Sequence, residues 1–258
     1  MIARRRLFKR EQLSDDIVLY LGDCRDIVST LPKFQLVVTD PPWDQAKGIL
    51  GSDNPRGLFA DVAPLISLAR MVVVQLGCYS DPMFLAPLAG LLPFFHTCWL
   101  RYIPPSYNGR VLVDADVAYV YGQPPPSVEG QRVIPSMCLA PNREALETEF
   151  LRSHGRNRTS KTSAETTARL DHPMARRLTH VRWLVRVHSA SNDTVLDPFM
   201  GSGTTGVACV QLGLPFVGVE AEPKFFDVAC KRVARALAAP DLFAVKPKLK
   251  PKYLGLLQ

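Results

Sequence analysis

Two short stretches of this 258-residue chain carry residue types that can do chemistry. The first is QLVVTDPPWDQ, in which Asp40, Pro41, Pro42 and Trp43 follow an apolar run. Two consecutive prolines continue neither a strand ladder nor a helix, so they set a rigid, extended turn at the end of that run. The turn presents one carboxylate, carbonyls without a neighbouring N–H and a large aromatic plane. This set suits a flat ring bearing an amino group. Trp43 can stack on the ring, while Asp40 and the Pro41 carbonyl accept both amino hydrogens and turn the nitrogen lone pair toward an electrophile. Catalysis of that kind is positioning plus electrostatics. The plain alternative is a proline-rich turn with Trp43 packed into the core.

The second stretch is TVLDPFMGSGTTGVACVQLG. A strand ends at Asp197, a glycine loop follows, and a helix begins near Thr204. Gly201 and Gly203 let the backbone turn tightly and approach a ligand. The helix start offers unpaired N–H groups to a carboxylate or phosphate. The next strand, PFVGVE, ends in Glu220, and an acidic side chain at a strand tip can accept both hydroxyls of a ribose. Gly201, Gly203 and Gly206 also spell G-x-G-x-x-G, which keeps a nicotinamide-dependent oxidoreductase as a rival, and a purely structural turn as another. No Gly-Lys pair follows, so this is not a Walker loop.

These loops need a frame. Short β-branched runs predict strands over 17–21, 35–39, 71–76, 94–102, 116–121, 194–196 and 216–219. Helical spacing predicts helices over 26–31, 60–70, 82–92, 175–188, 204–212 and 224–237. The alternation argues for a mostly parallel, seven-stranded α/β sheet, with 94–102 and 116–121 as an antiparallel edge hairpin. A nucleotide half-domain needs three strands, yet after Glu220 there is room for only a helix and a tail. The missing strand must be 17–21, so the layout is circularly permuted. We expect a single domain over 11–245, an inserted segment over 123–171, and basic tails at 1–10 and 246–258.

The charge is unevenly placed. The chain totals +7, with five basic residues in 1–10, four in 246–258, and nine basic against two acidic in 150–187. The last cluster reads LRSHGRNRTSKTSAETTARL, where Ser, Thr, Asn and Gly separate Arg152, Arg156, Arg158 and Lys161. Such residues contact phosphates and base edges, so this is the candidate nucleic-acid segment, with a solvated loop as the alternative. The six cysteines form no C-x-x-C pair and the five histidines no ligand spacing. We read reduced thiols in a cytoplasmic protein with no metal. No run nears ~18 apolar residues, so no membrane span is expected.

Taken together, the motifs resemble the amino-methyltransferases that use S-adenosyl-L-methionine to methylate DNA bases. Their order, D-P-P-W before DPFMGSGTT, is similar to that of the family's beta group. Gly22-Asp23-Cys24 and FVGVEAEPKFFDVACKRV resemble further cofactor segments, with Phe225 where a tyrosine is usual. The resemblance implies a Rossmann-like methyltransferase fold that transfers methyl by direct displacement to a flipped base. It implies that Asp197, Phe199, Gly201, Ser202, Gly203, Thr204 and Thr205 bind the methionine end of the cofactor. It places Glu220 on the ribose, Asp23 and Cys24 on the adenine ring, and Asp40, Pro41, Pro42 and Trp43 on the target base. His172 and Arg176 stand where the family shows H-P-x-x-K-P, with Arg176 for the lysine and Arg177 for the second proline. Arg176 then meets the cofactor carboxylate, a DNA phosphate or solvent. D-P-P-W favours adenine N6 in double-stranded DNA, with cytosine N4 or RNA as alternatives and a non-catalytic DNA-binding relative behind them. The short insert implies a short or weak sequence preference. A homodimer is left open.

Overall fold

Every residue of the runs 36–39 and 71–76 is buried, because both faces of these strands are covered. Leu36 and Val38, like Met71 and Val73, join one buried cluster, while Val37, Val72 and Val74 join a second on the opposite face. Side chains alternate across a strand, so two clusters on two faces mean a sheet between helical layers. The computed structural model describes residues 8–43, 53–77, 80–108, 110–125, 134–139 and 176–238.

Among the described residues the chain runs β1 (Lys9–Gln12), β2 (Ile17–Leu21), α1 (Cys24–Val28), β3 (Leu36–Thr39), α2 (Pro55–Ile66) and β4 (Met71–Leu76). A 3-10 turn (Pro82–Leu85) leads into the short α3 (Ala86–Ala89), followed by β5 (Phe94–Asn108), β6 (Val111–Gly122) and β7 (Met137–Leu139). The last part is α4 (Leu178–His188), β8 (Val195–Asp197), α5 (Thr204–Leu212), β9 (Phe216–Glu220) and α6 (Pro223–Ala238). The strands form one sheet in the order β1-β2-β9-β8-β3-β4-β6-β5-β7. Helices α4, α5 and α6 bury Leu184, Ala208 and Ala229 on one face; α1 and α2 bury Ile27, Phe59 and Val62 on the other.

The second strand closes the last half-domain, as the permuted layout requires. β2 pairs with β9 in parallel, from Ile17↔Phe216 to Leu21↔Glu220. The strand count differs from the sequence expectation: the sheet has nine strands, not seven. β1 is the polar tetrapeptide KREQ, antiparallel to β2, and shows no apolar alternation to reveal it. β7 is three residues long and pairs in parallel outside β5, so the β5–β6 hairpin is not the sheet edge. β5 runs on to Asn108, through a register shift between Arg101 and Ser106 that spans Pro104 and Pro105. The segment predicted as a helix over 82–92 breaks into the 3-10 turn and α3, with a proline at the start of each.

Beneath the hairpin, His96 and His188 meet through their Nε2 atoms at 3.1 Å. Their ring centroids lie 5.3 Å apart, so the rings meet nearly head-on. Burial pushes the His188 pKa down to about 4, and its Nδ1 donates to the Leu184 carbonyl at 2.8 Å. That leaves the His188 Nε2 lone pair to accept from the His96 Nε2–H, a hydrogen bond tying β5 to α4.

Candidate active site

Connections leave the sheet in opposite directions between β8 and β3. β8 leads through α5 to β9 on one side, and β3 leads through α2 to β4 on the other. Open α/β sheets place ligands outside the carboxyl ends of strands at such a switch point. A cavity of about 560 Å³ opens there, and its wall includes Asp23 and Cys24, Asp40, Pro42 and Trp43, and Asp197, Phe199, Gly201, Ser202, Thr204, Thr205 and Glu220. The two motifs and the opening segment therefore share one space. Pro41 is buried beside them in sequence. His172, Arg152, Arg156, Arg158 and Lys161 lie outside the described residues.

A hydrogen bond joins the motifs: Thr39 Oγ1 donates to Asp197 Oδ1 at 2.8 Å. Asp197 also accepts from Thr205 Oγ1 at 2.6 Å and from the Phe199 N–H at 3.1 Å. Burial pushes its pKa up to about 6, against the pull of those three donors.

The glycine turn takes left-handed conformations that only glycine adopts readily, with φ of 52° at Gly201 and 80° at Gly203. A Cβ on Gly203 would stand 2.9 Å from Ala229 Cβ, so α6 packs directly on the turn. Arg232 of α6 reaches back to it, donating to the Ser202 carbonyl and Oγ at 2.7 Å each and to Thr204 Oγ1 at 3.3 Å. Glu220 accepts from the Gly201 N–H at 2.9 Å and the Glu222 N–H at 2.8 Å, which fixes both carboxylate oxygens at the tip of β9. Burial raises its pKa, against those N–H groups. At the tip of β2, Asp23 caps α1 by accepting from the Arg25 N–H at 2.9 Å, and burial pushes the neighbouring Cys24 thiol up to about 12.

Arg176 lies on the Asp40–Trp43 side of the cavity. It pairs bidentately with Asp40, Nε to Oδ2 at 2.7 Å and Nη2 to Oδ1 at 2.9 Å. Its Nη1 donates to Asp116 Oδ2 of β6 at 2.9 Å, and its guanidinium carbon sits 5.0 Å from the centre of the Trp43 ring. The sequence reading offered cofactor, phosphate or solvent as its partner; the structure gives it Asp40 and Asp116. Burial works against the Arg176 charge, and the two carboxylates outweigh it and raise its pKa. Burial also raises the Asp40 pKa, with Arg176 pulling it down and Asp116 pushing it up. Asp116, Arg232 and Gln75, a further wall residue, were not singled out from the sequence. A glutamine inside the otherwise apolar β4 is the available signal for one of them.

Residues 107–231 match the family model described as DNA methylase, of the N6/N4 type. Over that span, just under half of its length, the chain is similar to the N6/N4 DNA methylases. The matched span starts after Asp40–Trp43 and takes in the glycine turn and Glu220. The chain is 44% identical over 64 residues to the type II methyltransferase M.HinfI of Haemophilus influenzae, covering 24% of this chain and 18% of that protein. It is 42% identical over 50 residues to the type II methyltransferase M2.LlaDCHI of Lactococcus lactis subsp. cremoris, covering 19% of each. The chain thus spans under a fifth of the length of these relatives. Among solved structures, the fold is similar to the M1.HpyAVI–SAM complex, with a TM-score of 0.58, 22% identity, and coverage of 84% of this chain and 98% of that one. It is also similar to the cytosine-N4-specific PvuII DNA methyltransferase, with a TM-score of 0.57, 16% identity, and coverage of 88% and 90%. Among the described residues, no helix is long and apolar enough to cross a membrane.

Proposed function

We propose that this protein transfers a methyl group from S-adenosyl-L-methionine to the N6 amino group of adenine in double-stranded DNA. The observation that carries the reading is the shared cavity in which Asp40–Trp43 and the glycine turn meet, joined by the Thr39–Asp197 bond. The residues present fit the cofactor. Glu220, fixed at a strand tip, suits a ribose; Asp23 and Cys24 suit an adenine ring; the turn from 201 to 203 and the start of α5 suit the methionine end. Bound there, S-adenosyl-L-methionine supplies a sulfonium methyl, which makes one carbon strongly electrophilic.

The protein's own residues then act on the base. Trp43 stacks on the ring, and Asp40 and the Pro41 carbonyl accept the amino hydrogens, so the nitrogen lone pair faces the methyl carbon. As the N–C bond forms, the S–C bond breaks, and the nitrogen sheds one proton along its hydrogen bond. The amino group lies inside the duplex, so the base must rotate out to reach this cavity. Arg176 must also leave the Trp43 face, where it now holds the place of a ring.

Incubation with labelled methyl donor and DNA or RNA, followed by nucleoside mass spectrometry, tests the reaction. N6-methyladenine in DNA is the expected product; N4-methylcytosine or a methylated ribonucleoside would replace the target assignment. Asp40→Ala should abolish transfer while cofactor binding persists, and retained activity in that variant removes the catalytic assignment. Mapping the modified positions should give a site of about six base pairs or fewer, in keeping with the short segment over 123–171.

A further inference from the structure

Gln75 lies on β4 one position beyond Val74, which pairs with Thr39, so it stands beside Asp40 on the neighbouring strand. On its other side it pairs with Ala118 of β6, two residues from Asp116. Val38, Val73 and Ala118 all face the α4 layer. Side chains two residues apart along a strand share a face, so Asp40, Gln75 and Asp116 face that layer side by side. Arg176 spans the two carboxylates. The amide between them is 3% exposed, borders the cavity, and its Nε2 is the one buried side-chain polar atom without a hydrogen-bond partner among the described residues.

A guanidinium has five donors and no acceptor, so Arg176 satisfies both carboxylates and can give nothing to Nε2. A planar base with an amino group next to a ring nitrogen can serve both kinds of partner. We propose that Gln75 reads the target base, its amide donating to the ring nitrogen adjacent to the exocyclic amino group while Asp40 accepts from that amino group. This rests on the base site proposed above. Adenine and cytosine both present this donor–acceptor pair. Thymine presents a carbonyl and an N–H on the same edge, meets neither need, and leaves a buried amide unpaired.

The test is a cycle between Gln75 and the ring nitrogen. DNA duplexes carry, at a methylated position, either the normal base or its deaza analogue with C–H in place of that nitrogen. Single-turnover methyl transfer is measured for wild type and Gln75→Leu. Wild type should slow on the deaza base by about tenfold or more beyond the slowing that Gln75→Leu shows on the same base. Any change in amino-group reactivity appears in both proteins and cancels. An indifferent wild type, or a Gln75→Leu variant with the full wild-type penalty, overturns the proposal. If Gln75→Leu does not fold, as judged by thermal unfolding with S-adenosyl-L-methionine, the near-isosteric Gln75→Met takes its place. Trp43→Ala serves as the separate control: full activity there removes the base site itself, whatever the cycle shows.

Discussion

Thr39 and Asp197 lie 158 positions apart in the chain and share a 2.8 Å hydrogen bond at the sheet's switch point. Through it the end of β3, which carries the proline turn, is fastened to the end of β8, which carries the glycine turn. Parallel pairing brings the strands together, with Val37 opposite Leu196. The side-chain bond then fixes how the two loops leave them.

Thr39→Val should therefore act on both stability and cofactor binding. Valine fills the same space and donates nothing, leaving the buried Asp197 carboxylate with two donors in place of three. Loss of a buried hydrogen bond to a carboxylate costs about 1–3 kcal/mol. A melting temperature lowered by several degrees and a weaker calorimetric affinity for S-adenosyl-L-methionine are expected. An unchanged melting temperature would mean that the bond carries no load.

The strands that make this meeting place were legible because their chemistry is local. Leu36–Thr39 and Met71–Leu76 are apolar throughout, and the DPFMGSGTT turn announces the end of a strand and the start of a helix. The permuted closure by β2 followed from counting strands after Glu220. Other parts left no local mark. β1 is entirely polar, and the extension of β5 crosses two prolines that read as loop. The early start of α2 carries a local signal of its own: Asn54 accepts from the Gly57 N–H at 3.0 Å, with Pro55 in the first helical position. The partners of Arg176 depend on a long side chain crossing between segments 136 and 60 positions away, which no spacing encodes.

Asp197 sets a pH dependence of stability. Its pKa rises from 3.8 to about 6 on folding, so the folded state holds its proton longer than the unfolded state. The stability this proton lends is complete below about pH 4 and is lost as pH rises through about 6; a shift of two units corresponds to roughly 3 kcal/mol. Asp197→Asn cannot ionise and escapes that loss. Denaturant unfolding of both proteins from pH 4 to pH 7 should show the variant gaining on wild type by roughly that amount. A constant difference across the range would contradict the shift.

Arg232→Met should loosen the glycine turn. The substitution keeps much of the length of the side chain and removes the donors to the Ser202 carbonyl, Ser202 Oγ and Thr204 Oγ1. At about 1–2 kcal/mol for charge-assisted bonds near the surface, the dissociation constant for S-adenosyl-L-methionine should rise roughly tenfold. The rate of methyl transfer at saturating cofactor should change far less, because Arg232 reaches the turn and not the target side. Calorimetric titration together with single-turnover rates separates the two effects.

Arg176 gives the sharpest division between two roles. Its guanidinium holds Asp40 bidentately and lies over Trp43, the contacts assigned here to the target base. A group that occupies a binding slot lowers apparent affinity by the fraction of time it is there. A group that orients Asp40 for catalysis would instead be missed when removed. Arg176→Ala leaves a space shaped for a guanidinium, and free methylguanidinium, added well below unfolding concentrations, should refill it. If Arg176 is a stand-in for the base, methylguanidinium inhibits the variant in competition with DNA and affects wild type much less. If Arg176 positions Asp40, the same molecule restores activity. The sign of the response decides, and it is read from initial rates at several DNA concentrations.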